Sequence, residues 1–194
     1  IFCTTIKADG IVAPMIESSY ALKKFIQTVP KEYLGNLFIN IESKTAVSNI
    51  NKIIKSENFK RLKGIVIGRS DLAGSYRMLK SQVNSKKIYN DVYSVLKKVK
   101  KIGKVTKMGG SITADTKIFV KNLYEKKFID NIETRNLELK LSNKIIYNLD
   151  KIIPEIFKFE LLWLKFRNTR KNMNYIKKKD NLKRILEIEK RLKN

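Results

Sequence analysis

The chain has 194 residues, 43% of them apolar and 31% charged, with only 8 Gly and 3 Pro. This excludes collagen-like, low-complexity and wholly disordered chains, and suits one large domain or one domain with an appendage. There is no histidine and a single cysteine, Cys3, which rules out an intrachain disulfide, a Cys/His zinc site, a Ser-His-Asp triad and an HExxH centre within these residues; a bound metal would need oxygen ligands, favouring Mg²⁺ or Mn²⁺.

In chain order, short β-branched runs alternate with longer amphipathic stretches. Strands are expected at Ile11–Ile16, Leu37–Ile41, Gly64–Ile67, Lys104–Met108 and Phe128–Glu133. The runs IVAPMI and GIVIG are nearly continuous in apolar residues, as in strands buried on both faces. Helices are expected at Tyr20–Val29, with Ser18 or Ser19 as cap, and at Thr45–Ile54, Val83–Lys101 and Thr116–Tyr124. Each carries one apolar stripe at i, i+3, i+4 spacing, such as Ile88, Val92, Val95, Leu96 and Val99 in the third, or Ile118, Phe119 and Leu123 in the fourth. Strand-helix alternation is the signature of an α/β protein with a parallel sheet and right-handed crossovers.

Residues 142–194 read as a helical extension of a β/α body at 1–141. Ser142 can cap a helix containing Ile145, Ile146, Leu149, Ile152 and Ile153, Pro154 is expected to break or restart it, and Asp180 can cap a last piece. No apolar run approaches the roughly 18–20 residues that span a bilayer. There is no signal-peptide pattern, so a cytoplasmic protein without membrane contact is expected. The net charge of +24 suits either phosphate contacts or a lysine-rich solvated surface. No zinc finger, helix-turn-helix or RNP-like motif accompanies it, and nucleic acid is not the expected partner.

The functional signal is positional. The first three strands run into Glu17, Glu42 and Asp71, the fourth into Gly109-Gly110, and the fifth into Glu133 and Arg135. In a parallel α/β sheet these ends share one face, where ligands bind. Neighbouring strands lie about 4.8 Å apart, so carboxylates on adjacent ends can share a hard cation. Each residue also has a plain structural explanation. Asp71 can cap a helix starting at Leu72, Glu42 can pair with Lys44, and Glu17 can be a solvated loop residue. Arg69 and Arg135 can grip a carboxylate in bidentate fashion or pair with Glu17 or Glu133 at the rim.

DGIVAPMIESSYALKKF, LFINIESKTAVSNI, GIVIGRSDLAGS and TKMGGSIT followed by IETR resemble, in that order, the HpcH/HpaI aldolase and citrate lyase beta-subunit superfamily, most nearly its aldolase/citrate-lyase-like branch. The resemblance covers roughly residues 8–138. It implies a (β/α)₈ TIM-type barrel, here incomplete on the N-terminal side, and reversible carbon–carbon cleavage of a pyruvate- or oxaloacetate-type keto acid through an enolate. Carried over by motif, Glu42 and Asp71 would hold Mg²⁺ or Mn²⁺. Backbone around Gly68, Arg69 and Ser70 would receive the substrate carboxylate, with Glu17, Gly109 and Gly110 lining the substrate site and Arg69 and Arg135 assisting. C-terminal helices in this superfamily often mediate homo-oligomer contacts, and the same is expected here.

Two features depart from the pattern. The arginine and histidine base that relatives take from early strands would lie upstream of Ile1, so the chain is expected to be incomplete or processed. Ser75 is followed by Tyr76 and Arg77, where relatives continue with Ser and Gly. A barrel-derived protein that binds without turnover, and a basic nucleic-acid-binding protein, are the alternatives.

Overall fold

Hydrophobic alternation and serine caps set the elements. The computed structural model describes residues 2–169 and 175–193. After a short helix α1 (Phe2–Thr5) come β1 (Gly10–Ala13), α2 (Ser19–Thr28), β2 (Asn36–Ile41), α3 (Lys44–Lys55), β3 (Gly64–Gly68), α4 (Arg69–Ser75), α5 (Lys86–Lys101), β4 (Val105–Gly109), α6 (Lys117–Glu125), β5 (Asn131–Glu133) and β6 (Glu138–Lys140). The tail forms α7 (Asn143–Tyr147), α8 (Leu149–Asn168) and α9 (Tyr175–Lys193). Ser18, Ser43, Ser85 and Ser142 each accept a hydrogen bond from the backbone N–H three residues on, capping α2, α3, α5 and α7.

The sheet runs β1-β2-β3-β4-β5-β6, with the first five strands parallel and β6 antiparallel to β5. Sequential order is decisive. When every right-handed crossover moves on to the next strand, all the helices fall on one face and the sheet curls, as in part of a barrel. Leu37, Ile39, Ile41, Ile65, Ile67, Met108 and Ile132 lie under the helices and are buried. Against them pack Leu22 and Ile26 of α2, Ile50 and Ile53 of α3, Val92, Val95 and Val99 of α5, and Val120 and Leu123 of α6. Each such burial contributes about 2 kcal/mol before entropy is counted. The concave face carries the alternate positions: Phe38 and Asn40, then Val66 and Gly68, then Lys107 and Gly109, then Asn131 and Glu133.

Several expectations need correction. A sixth strand, Glu138–Lys140, joins the five; closure into eight strands is not seen among the described residues. Ile118 points outward, 72% exposed, while Val120 takes the buried place on α6. Pro154 sits inside α8, and the break falls at Asn148 instead. The missing N–H of Pro154 costs only the bond to the Asp150 carbonyl in the first turn, and buried Ile153, Ile156 and Phe157 hold the helix across it. Asp180 lies within α9 rather than at its start. Helices α8 and α9 pair with each other, and Leu149, Ile153, Phe157, Leu164, Ile185 and Ile188 join the hydrophobic core of the body.

Candidate functional site

Glu42 follows the last residue of β2 and is 6% exposed. Its Oε1 accepts from the Met15 N–H at 2.9 Å and its Oε2 from Asn40 Nδ2 at 3.0 Å. Met15 lies in the left-handed region, with φ 52°. A non-glycine residue there is strained by about 1 kcal/mol or more. The loop after β1 therefore carries strain at the residue whose N–H anchors Glu42. The alternative pairing of Glu42 with Lys44 is not made among the described residues. Glu17 is no free substrate residue: its Oε1 accepts from the Ser43 hydroxyl and its carbonyl from Asn49 Nδ2, which ties it to the start of α3. It steadies the turn that carries Glu42.

Gly68 ends β3 beneath Glu42. A Cβ on Gly68 would stand 2.5 Å from Glu42 Oε2 and 2.8 Å from Glu42 Cβ, so only glycine admits the carboxylate there. Three residues on, Asp71 lies in the first turn of α4, which Gly68 begins. The plain structural alternative for Asp71, a helix cap, is therefore not taken up; Gly68 holds the cap position. It is exposed, and no hydrogen bond or ion pair engages its side chain among the described residues.

Arg69 corrects a second expectation. Its side chain is fully buried, and four of its five N–H donors are used within the protein. Nη1 donates to Asn84 Oδ1 at 2.6 Å, Nη2 to the carbonyls of Gly110 at 2.8 Å and Ser111 at 3.3 Å, and Nε to the Gly109 carbonyl at 3.4 Å. The guanidinium also covers the Phe119 ring at 4.9 Å. Burial lowers its pKa to about 10, still cationic at neutral pH. Arg69 is a brace between the ends of β3 and β4, with no fork left for a substrate carboxylate. Gly110, at φ +81°, makes the tight bend this brace requires: a Cβ there would lie 2.6 Å from the Ser70 nitrogen. The hydroxyls of Ser70 and Ser111 pair across the same gap at 2.9 Å.

At the end of β5 Glu133 leans over Gly109, where a Cβ would meet its Cγ at 3.0 Å. Burial raises the Glu133 pKa; Lys107 opposes this, and the like charges of Glu138 and Glu42 add to it. Lys107 is buried on the concave face, donates to Glu138 Oε2 at 2.6 Å and lies over the Phe38 ring at 3.9 Å. Ser70, Asp71, Gly109, Gly110, Glu133 and Arg135 line one wall of a strand-end cavity of about 650 Å³. Phe157 of α8 and Arg184, Glu187 and Arg191 of α9 line the other. Glu17, Glu42 and Gly68 are not among its lining residues, although Gly68 is the register partner of Gly109.

A model of the HpcH/HpaI aldolase/citrate lyase family matches residues 2–122. The chain belongs to this family. Among solved structures it is similar to a variant of the citrate synthase SbnG, at 17% identity and TM-score 0.55, covering 80% of this chain and 66% of that one. It is also similar to RipC from Yersinia pestis, at 13% identity and TM-score 0.54, covering 75% and 63%. A third is a family protein from Burkholderia cenocepacia, at 14% identity and TM-score 0.52, covering 78% and 65%. The chain thus spans about two thirds or slightly less of each. At these identities the likeness concerns the fold. No curated protein matches the chain.

The family match takes in Glu42, Gly68, Asp71 and Gly109-Gly110 and ends before Glu133, Arg135 and the tail. Sequence reasoning left the far wall out, although Arg184, Glu187 and Arg191 recur at the i, i+3, i+7 spacing of one helix face. The family's divalent metal can be tested against the donors present. No group of three His, Cys, Asp or Glu side chains suited to a metal occurs among the described residues. Magnesium, however, is commonly held by one or two carboxylates completed by water and substrate oxygens. Glu42, just after β2, and Asp71, in the first turn of α4, are carboxylates of this kind. Beside Glu42, Asn40 Oδ1 is buried with no partner, an oxygen left for a cation or a water. Two carboxylates and an amide oxygen are hard oxygen donors, the kind such an ion takes. No described helix is long and apolar enough to cross a membrane.

Proposed function

We propose that this chain carries the site of a divalent-metal-dependent carbon–carbon lyase acting on a pyruvate- or oxaloacetate-type keto acid through an enolate. The observation that carries the reading is Glu42, buried, held by two donors and backed by Gly68, the residue before the α4 turn whose Asp71 lines the strand-end cavity. Glu42 and Asp71 would hold Mg²⁺ or Mn²⁺. When bound, the metal supplies Lewis-acid stabilisation of the charge that develops on the keto oxygen. The Met15 N–H and Asn40 fix the Glu42 carboxylate so that it does not reorganise during reaction. Ser70 and the exposed Arg135 face the cavity and would orient the substrate carboxylate. Arg69 acts at one remove, holding the Gly109-Gly110 turn on which that wall depends.

Mn²⁺ binding in the presence of pyruvate tests the reading. Glu42→Gln and Asp71→Asn are each expected to weaken it at least about tenfold, as loss of one of two charged ligands should. Equal binding by all three proteins would overturn it. A second reading, a barrel-derived protein that binds the keto acid without turnover, is favoured by the absence of histidine from these residues. Cleavage of any keto acid in a panel by this chain would dispose of it.

A homo-oligomer contact through the tail is supported by one face of α8. Phe159, Leu162, Trp163 and Phe166, at i, i+3, i+4, i+7 spacing, are all exposed. Trp163→Glu should shift sedimentation toward the monomer, and an unchanged profile would remove this contact.

A further inference from the structure

We infer that Arg191 is a ligand-anion receptor on the tail side of the strand-end cavity, so that the ligand carries a second anionic group besides the carboxylate oriented by Ser70 and Arg135. This rests on the keto-acid reading above and narrows it to keto acids with two anionic ends.

The two arginines of α9 that line the cavity are in opposite situations. Arg184 is neutralised within the protein: its Nε and Nη2 donate to Glu160 Oε1 and Oε2 at 2.8 and 2.9 Å, and Nη1 donates to Glu187 Oε2 at 3.2 Å. Glu160, only 1% exposed, has this arginine as its counter-charge. Glu187 is drawn further by Lys80 at 3.6 Å. Arg191, one turn beyond Glu187, takes no carboxylate among the described residues. Its guanidinium lies over the Phe157 ring at 5.5 Å and is half-buried. Burial and the neighbouring charge of Arg184 both disfavour its cationic form, and Glu187 and Glu160 offset this in part.

A half-buried guanidinium backed by an aromatic ring presents a fixed, planar, under-compensated fork. That is the arrangement which recognises a carboxylate or phosphate in bidentate fashion. Its surroundings reinforce the assignment. Arg191 also lines an adjoining cavity of about 500 Å³ with Lys80 and Lys190, against the carboxylates of Asp115 and Glu187, the latter already engaged by Arg184 and Lys80. An anion entering from either side meets Arg191 and Lys80 together. The tail lies outside the family match, which ends at residue 122, so this wall is where the chain can set its own ligand preference on a shared body. Of the two anion chemistries, we favour a carboxylate because the opposite wall is built for a keto acid.

Calorimetric titration of the full chain with Mn²⁺ and oxaloacetate, 2-oxoglutarate or pyruvate tests the assignment. The wild type should bind at least one dicarboxylate more tightly than pyruvate. Arg191→Gln should weaken that dicarboxylate by about tenfold, as expected for loss of one charged hydrogen-bonded pair, and change pyruvate by less than about twofold. Arg191→Lys, which keeps the charge and loses the fork, should recover part of the loss. An unchanged dicarboxylate affinity, or an equal loss for pyruvate, overturns the assignment. Inorganic phosphate separates the two levels of the reading. A wild type that binds no keto acid but holds phosphate through Arg191 sinks the keto-acid reading and leaves the arginine as an anion receptor. A wild type that binds neither overturns both.

Discussion

Two glutamates end strands of the same sheet, each leaning over a glycine, yet their surroundings oppose each other. Glu42, over Gly68, receives a backbone N–H and an amide N–H and is 6% exposed. Glu133, over Gly109, receives no hydrogen bond among the described residues, and burial pushes its pKa up. For Glu133, desolvation without such donors opposes the charged form. The difference teaches that position at a strand end does not fix a carboxylate's environment; the donors around it do. Gly68 and Gly109 are register partners on β3 and β4, so the two environments meet at a single rung of the sheet. The family match takes in the first glutamate and stops short of the second.

The brace between the two halves gives the largest expected effect. Arg69→Ala would leave the carbonyls of Gly110 and Ser111 and the Asn84 side chain without their donor beside a buried void. Each unsatisfied buried group costs about 1–3 kcal/mol, so a total loss of about 3 kcal/mol or more is expected. Arg69→Lys should recover little, because an ammonium cannot reproduce the fork. Urea unfolding checks both; a loss under about 1 kcal/mol for Arg69→Ala would mean that the two strand ends hold together without the brace.

The two glycines permit a direct test of the comparison. Gly68→Ala drives a methyl to within 2.5 Å of Glu42 Oε2 and 2.8 Å of its Cβ, and the Cβ cannot swing away. Overpacking of this kind costs about 1–3 kcal/mol, and the displaced carboxylate should weaken Mn²⁺ binding as well. Gly109→Ala brings its methyl only to 3.0 Å from Glu133 Cγ and 3.3 Å from the Glu133 carbonyl, so a shift of a few tenths of an ångström absorbs most of it. Thermal melts should therefore rank Gly68→Ala below Gly109→Ala. The reverse order would mean that Glu42 is the more mobile of the pair.

The body was largely legible because its physics is local. Short β-branched runs marked all five parallel strands, and Ser18 and Ser142 announced the helices they cap. The strand β6 was missed because Glu138–Lys140 has no apolar run; backbone pairing with β5 makes it a strand. Arg69 was misread because an arginine at a strand end offers its fork to ligand and carbonyl alike, and only tertiary structure shows Gly109-Gly110 turned toward it. The Glu17 side chain met the same fate, since Ser43 lies far from it in sequence. Arg191 stayed invisible for a different reason. Nothing in a lysine-rich helix says which cation lacks a carboxylate until Glu160 and Glu187 are found to favour Arg184.

The smallest effect concerns Glu133 itself, and its sign discriminates. Burial holds this carboxyl above the usual range, with Lys107 opposing and Glu138 and Glu42 adding. A pKa raised on folding means that the folded chain binds the proton more tightly than the unfolded one. The stability this adds is complete below the unfolded pKa and is lost as pH rises through the folded pKa. At neutral pH the ionised Glu133 is therefore a liability. Glu133→Gln should melt slightly above the wild type at pH 7, and the gap should close as pH falls toward the ordinary carboxylate range. A variant that melts lower at pH 7 would show Lys107 compensating the ionised carboxylate in full, and the contrast with Glu42 would then lie in hydrogen bonding alone.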